Sequence, residues 1–353
     1  MGCLVNVYPG YQAVVAEASQ QKFEAAWGTT LSSKVGKTVT EIIPGVLEGT
    51  TKALYILGEN PMMTDPDTNH IRHCLEELDF LALQEIFPTE TSKYADVLLP
   101  GVTFAEKTGT FTSTERRVQM VRQAISPRGE SRPDWAITAD LAKRVIAKNG
   151  RQINEAPYSG WDYADSGEIM AEVAALTPSY GGISHERLNA GETLCWPCPN
   201  PTHPGTPILH IGKFTRGKGN LIPAIHLDPS ELPDAEYPVM MTTGRVIYHW
   251  HSGEQTRRVK ELMDIYGESL IEVSHEDAAH LGLNEEVNHV KLTSRRGTIT
   301  ARAWVTDRVP EGLIYGTFHF PEANVNTLTK AALDPIAKIP EYKVTAVRIE
   351  AVN

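Results

Sequence analysis

The sequence predicts an α/β protein: a partial doubly wound parallel sheet in the first part of the chain, then a small β-barrel in the last. Three observations lead there. Short apolar runs that read as buried strands, Ala53-Leu54-Tyr55-Ile56-Leu57, Phe80-Leu81-Ala82-Leu83 and Asp96-Val97-Leu98-Leu99-Pro100, alternate with a helical pattern. Strands and helices in alternation pack as a parallel sheet covered by helices. From residue 236 the pattern changes to short strands parted by Gly-containing turns, the signature of a small barrel. Residues 151–235 between them are rich in Pro and Gly and read as a connecting region with short helices. The expected domain plan is 1–150, 151–235 and 236–353.

Residues 1–50 show little periodicity. Tyr8-Pro9-Gly10-Tyr11 is turn-like, and 20–27 fits a short helix. The strand over 53–57 ends at Gly58-Glu59-Asn60-Pro61. A helix over 67–78 follows, because Ile71, Cys74, Leu75 and Leu78 recur at helical spacing. Strands over 80–83 and 96–100 extend the sheet. Ligands bind at the loops after such strands, here 58–61 and 84–91. Residues 134–148 form an amphipathic helix through Trp135, Ile137, Leu141, Ala142, Val145 and Ile146, and 168–176 a shorter one. Later strands are predicted over 237–241, 269–273, 287–292, 298–305 and 312–318. A helix over 275–281 and a tight turn at Ser294-Arg295-Arg296-Gly297 lie among them.

Composition limits the function. Hydrophobic residues at 41% and charged residues at 22% fit a globular protein of two or more domains. A net charge of −11 argues against a nucleic-acid partner, which needs a basic face; a local basic pocket stays possible. No apolar run approaches the roughly 18 residues of a membrane span. Met1-Gly2-Cys3-Leu4-Val5-Asn6 has neither the basic nor the apolar segment of a secretory signal. Four cysteines make no disulfide scaffold, so a cytoplasmic setting is expected.

The stretch Thr242-Thr243-Gly244-Arg245-Val246-Ile247-Tyr248-His249-Trp250-His251-Ser252-Gly253 is unusual for a loop. Holding so many large side chains costs rotamer entropy, which points to a surface that grips something planar and anionic. A polar loop anchored by a buried Trp is the alternative. His249 and His251 would share a face if the segment were a strand, but no carboxylate or Cys completes a metal site there. Cys195-Trp196-Pro197-Cys198 has the spacing of a redox or zinc pair. It lacks a second such pair, and Pro197, Pro199, Pro201 and Pro204 preclude the helix that would activate a thiol. The hydroxyl-rich block 106–119 reads equally as a ligand loop or a solvated hairpin. Asn324-Val325-Asn326-Thr327-Leu328-Thr329 and Pro340-Glu341-Tyr342-Lys343 offer groups that pair with base edges and phosphates. No Walker loop, dinucleotide fingerprint or nucleophile elbow is present.

Taken together, Leu57-Gly58-Glu59-Asn60-Pro61, Gln84-Glu85-Ile86-Phe87, Ala95-Asp96-Val97-Leu98-Leu99-Pro100 and the 109–119 block resemble, in that order, the molybdopterin oxidoreductases. Within them the chain is most similar to the large subunit of molybdenum- or tungsten-dependent formate dehydrogenases. Thr243-Gly244-Arg245 with His249-Trp250-His251 resembles the opening of the C-terminal cofactor-capping domain, and Leu333-Asp334-Pro335 with 338–343 its end. The resemblance implies that 1–150 is a partial α/β molybdopterin-binding domain and 236–353 a six-stranded, double-psi-like barrel cap. It implies bis-molybdopterin guanine dinucleotide with Mo or W. Gly58, Glu59, Asn60, Gln84, Phe87, Thr89 and Asp96 would surround one guanosine diphosphate arm. Thr243, Arg245, His249, Asn326, Tyr342 and Lys343 would reach the cofactors from the cap, with His251 on the substrate path.

Two positions depart from the pattern: Ser113 stands where Asn is expected, and Val246 where some relatives carry an acid. Also absent are the cysteine cluster of a 4Fe–4S centre and the metal-bound Cys or selenocysteine followed by His. No residue of this chain is therefore expected to be catalytic or to bind the metal. The resemblance implies a C-terminal half whose partners are the N-terminal half of the catalytic subunit, carrying the 4Fe–4S cluster, and iron–sulfur electron-transfer subunits. The whole would interconvert formate and CO2. A nitrate-reductase-like enzyme, or a non-catalytic structural subunit of a redox complex, is the alternative.

Overall fold

The computed structural model describes residues 4–151, 153–286 and 288–352. In chain order it begins with the strands β1 (Val7–Tyr8) and β2 (Gln12–Ala13) and the helices α1 (Glu17–Trp27) and α2 (Val39–Ile42). Next come β3 (Ala53–Leu57), α3 (Pro61–Thr64), α4 (Thr68–Glu76), β4 (Phe80–Glu85) and β5 (Val97–Pro100). The middle holds β6 (Gly109–Thr112), β7 (Arg117–Val121), α5 (Asp134–Lys148), α6 (Ser166–Leu176), α7 (His185–Asn189) and β8 (Leu194–Cys195). The last part holds β9 (Val239–Gly244), α8 (Lys260–Ile265), β10 (Leu270–Val273), α9 (His275–Leu281), β11 (His289–Thr293), β12 (Thr298–Val305), β13 (Leu313–Thr317) and β14 (Thr345–Val352).

Contacts group these elements into two compact units, residues 1–38 with 99–223, and 39–98 with 224–353. In the first, β6, β7 and β8 form an antiparallel sheet. Its core gathers Val118, Met170, Ile183, Leu188, Leu194 and Cys198. The block 106–119 is a hairpin: Ser113 N–H donates to Arg117 O at 2.8 Å, and Arg116 turns the corner at φ +71°. Cys198 lies fully buried, its thiol directed to His203 O at 3.4 Å. That is the place of a core residue, and among the described residues neither Cys195 nor Cys198 joins a metal-ligating group.

The second unit joins the parallel pair β3–β4 to the barrel. The 67–78 helix appears as α4, capped by the Asp67 carboxylate, which accepts the His70 N–H at 3.3 Å. Its apolar face, Ile71, Cys74 and Leu75, packs with Leu81 and Met62. The barrel closes in the order β10-β12-β11-β14-β9-β13. Two pairs are parallel, β9 with β13 and β10 with β12; the others are antiparallel. Met241, Ile271, Leu292, Ile314 and Val347 fill its interior. The strand expected over 287–292 runs His289–Thr293; Val287 and Cys3 lie outside the described residues. Among the described residues no helix is long and apolar enough to cross a membrane.

Candidate functional site

β3 and β4 run parallel with Leu57 opposite Gln84, so the loops leaving their carboxyl ends start side by side. Gly58 turns the chain out of β3 at φ +66°, a left-handed conformation that glycine adopts without steric cost. Its N–H donates to Gln84 O at 3.0 Å. Gln84 is itself fully buried, its side chain taking the Tyr55 hydroxyl.

A pocket of about 320 Å3 opens at this point. Gly58, Glu59 and Asn60 line it with Glu85 and Ile86, and Trp250, His251, Ser252, Glu254 and Gln255 of the loop after β9 line its other wall. Asn60 is the hub. Its Oδ1 accepts from Thr91 Oγ1 at 2.7 Å, and its Nδ2 donates to Glu90 at 2.8 Å and to Glu254. Glu254 also takes the Ser252 hydroxyl. Every polar atom of this buried carboxamide thus has a partner, as burial requires.

Barrel side chains secure the turn after Asn60. α3 is one turn long, so it leaves carbonyls without helical partners. Asn324 Nδ2 donates to Met63 O at 3.0 Å, Asn326 Nδ2 to Met63 O at 2.8 Å and Thr64 O at 3.2 Å, and the Tyr342 hydroxyl to Thr64 O at 3.0 Å. Asp65 beside them is buried, and burial pushes its pKa up to about 6; the Thr64 hydroxyl opposes this and the charge of Glu59 adds to it.

Other expected residues lie outside the lining. Thr243 Oγ1 donates to Tyr342 O at 2.9 Å, and Lys343 Nζ donates back to Thr243 O. The Arg258 guanidinium lies 4.3 Å from the Phe87 ring centre and donates to Pro88 O at 3.3 Å. Thr89 is buried, its N–H on Ser92 Oγ at 2.7 Å. Arg245 is exposed, 5.8 Å from the Phe318 ring, and forms no ion pair among the described residues.

Of the thirteen expected cofactor residues only Gly58, Glu59 and Asn60 line the pocket; Asp96 and His249 are engaged by partners elsewhere. Asp96 accepts the Leu81 N–H at 2.7 Å, three residues before Gln84, and is not among the lining residues. His249 is 4% exposed and turned inward: Nδ1 meets Thr256 Oγ1 at 3.1 Å and Nε2 the Tyr266 carbonyl at 2.6 Å.

The loop itself differs from two expectations. Its Trp is no buried anchor: Trp250 is 67% exposed and belongs to the pocket wall. β9 ends at Gly244, and His251 sits at φ +48°, so His249 and His251 do not share a strand face. The anchor is instead a pair of buried imidazoles, His249 and His319, with ring centres 5.7 Å apart. Gly253 closes the loop at φ +82°, where a Cβ would stand 2.9 Å from His319 O.

Sequence reasoning missed His319, Glu254, Glu90 and Thr91. The one local signal is Phe318-His319-Phe320, a His between aromatics directly after β13. Chemically the pocket offers the exposed Glu59 carboxylate, which has no hydrogen-bond or ion-pair partner among the described residues, and the open face of Trp250. This combination accepts N–H donors from a planar ring.

Residues 5–144 match the family model molybdopterin oxidoreductase, and residues 239–346 the molydopterin dinucleotide binding domain. The chain is 45% identical to the F420-dependent formate dehydrogenase subunit alpha of Methanocaldococcus jannaschii, over 100% of this chain and 50% of that one. It is 41% identical to F420-dependent formate dehydrogenase 1 subunit alpha of Methanococcus maripaludis, with the same coverage. The chain spans about half the length of these curated relatives. Among solved structures, acetylene hydratase from Pelobacter acetylenicus shares the fold, with a TM-score of 0.64 at 14% identity over 96% of this chain and 50% of that one.

Proposed function

Because this chain belongs to the molybdopterin oxidoreductases, we propose that it is the cofactor-holding portion of a formate dehydrogenase catalytic subunit. The observation that carries this is the pocket: the Glu59 carboxylate and exposed Trp250 in its wall, with the Arg245 guanidinium at the start of the same loop, both charged groups without a hydrogen-bond or ion-pair partner among the described residues. These residues fit a guanine dinucleotide. The carboxylate suits the N–H edge of guanine, and a guanidinium with no carboxylate partner suits a pyrophosphate. When bound, bis-molybdopterin guanine dinucleotide would supply the redox metal, Mo or W, at which formate is oxidised to CO2 or the reverse.

Gly58, Asn60, Gln84, Phe87 and Thr89 would then shape the guanosine side, and Thr243, Asn326, Tyr342 and Lys343 the cap side. Asp96 and His249 would act through the backbone they hold. His251 would face the substrate path. The domain plan 1–150, 151–235 and 236–353, a cytoplasmic location, a 4Fe–4S cluster in the remaining portion of the subunit and iron–sulfur electron-transfer partners belong to the same proposal. The names of the relatives favour formate over nitrate.

Calorimetric titration of the chain with guanosine 5′-diphosphate tests the site, and saturable binding is expected. A folded chain that shows none would overturn the reading in favour of a structural module. Turnover of nitrate and not formate by the complete subunit would overturn the substrate assignment.

A further inference from the structure

One imidazole holds both ends of the 246–251 loop. The Val246 N–H donates to His319 Nε2 at 3.0 Å, and His319 Nδ1 faces the carbonyl of His251. An imidazole that accepts at Nε2 carries its proton on Nδ1, so the second contact is an Nδ1–H donation. The partners therefore dictate both the tautomer and the neutral state. His319 is fully buried beside Phe318 and Phe320, whose ring centres lie 5.3 and 6.5 Å away. We propose that His319 is a positioning residue of the pocket: its neutral Nδ1–H form clamps the loop that places Trp250 and His251 in the pocket wall. The importance of that wall rests on the cofactor reading above; the clamp itself does not.

The surroundings defend the neutral form. Burial lowers the imidazole pKa to about 4; the His251 carbonyl opposes this, while His249, Arg245 and Arg257 repel a proton. A proton on Nε2 would set a donor against the Val246 N–H, and the loop would lose one of its two ties.

Imidazole 15N shifts and amide exchange of the full chain test the clamp. Wild type is expected to show neutral Nδ1–H His319 from pH 8 to pH 5, with a protected Val246 amide. The Nε2–H tautomer, or titration at the ordinary histidine value, would overturn the proposal. His319→Phe keeps a ring between its aromatic neighbours but offers neither bond. It is expected to stay folded by circular dichroism, with Val246 exchange and the guanosine 5′-diphosphate Kd each raised roughly tenfold. His319→Gln, which restores an acceptor for Val246, should recover much of the protection. Unchanged Val246 exchange in folded His319→Phe would also overturn it. If wild type binds no nucleotide, the cofactor reading fails, while the shifts and exchange still decide the clamp.

Discussion

Asn326 donates to the Met63 carbonyl at 2.8 Å across 263 residues of sequence. A loop of the barrel thereby fixes the first turn after β3, and the pocket-forming Asn60 with it. Replacing Asn326 by Leu removes one donor from each carbonyl, leaving Met63 O to Asn324 and Thr64 O to Tyr342. The expected cost is about 1–3 kcal/mol, measured as a lower midpoint in urea unfolding with unchanged slope.

Asn60→Ala should act on stability and binding together. The carboxamide ties Thr91, Glu90 and Glu254 to one point, and its loss frees Glu254 from one of its two partners. The expected outcome is about 1–3 kcal/mol of destabilisation and weaker guanosine 5′-diphosphate binding. Calorimetry and denaturant unfolding on one preparation check both.

Arg245→Ala separates the two effects. The side chain is exposed and unpaired among the described residues, so stability should change by less than about 0.5 kcal/mol. Nucleotide affinity should fall roughly tenfold or more. Equal binding by the variant and the wild type would remove Arg245 from the site.

Gly253→Ala tests the loop geometry. The left-handed φ and the 2.9 Å approach to His319 O should cost about 1–3 kcal/mol. Thermal unfolding reads this directly, and a variant as stable as wild type would contradict the described turn.

Two buried groups give stability opposite pH slopes. Asp65, with its pKa raised from 3.8 to about 6, binds its proton more tightly folded than unfolded. Its contribution is present below pH 4 and is lost as pH rises through 6. His319, lowered from 6.5 to about 4, is charged more readily when unfolded. Its contribution is present above 6.5 and is lost as pH falls through 4. Asp65→Asn removes only the first, so unfolding free energy should rise more steeply between pH 4 and 6 than in wild type, by roughly 2–3 kcal/mol. Urea unfolding across that range measures it.

The elements were legible where apolar residues set a local pattern, although β3 and β5, expected as buried strands, hold no buried residue. The run 53–57 and the helical spacing of Ile71, Cys74 and Leu75 correspond to β3 and α4. β14 was not read as a strand: in Thr345-Ala346-Val347-Arg348-Ile349-Glu350 three buried residues in a row precede the alternation, which blurs its period. In the candidate site the loops were legible by composition, but the partners were not. Asn60 meets Glu254 across 194 residues, and Val246 meets His319 across 73; no local pattern encodes such pairs. The loop histidines show the same limit, since composition marks both, yet the fold turns His249 inward and leaves His251 exposed.

The unit that holds the pocket is assembled from residues 39–98 and 224–353. On the ribosome the first segment emerges well before its partners Asn324, Asn326 and Tyr342. Until they arrive, the Met63 and Thr64 carbonyls lack the side-chain donors that hold this turn, a state that favours misassembly. Completion of this unit thus waits for β14: a nascent chain stalled before it would lack one stave of the closed barrel.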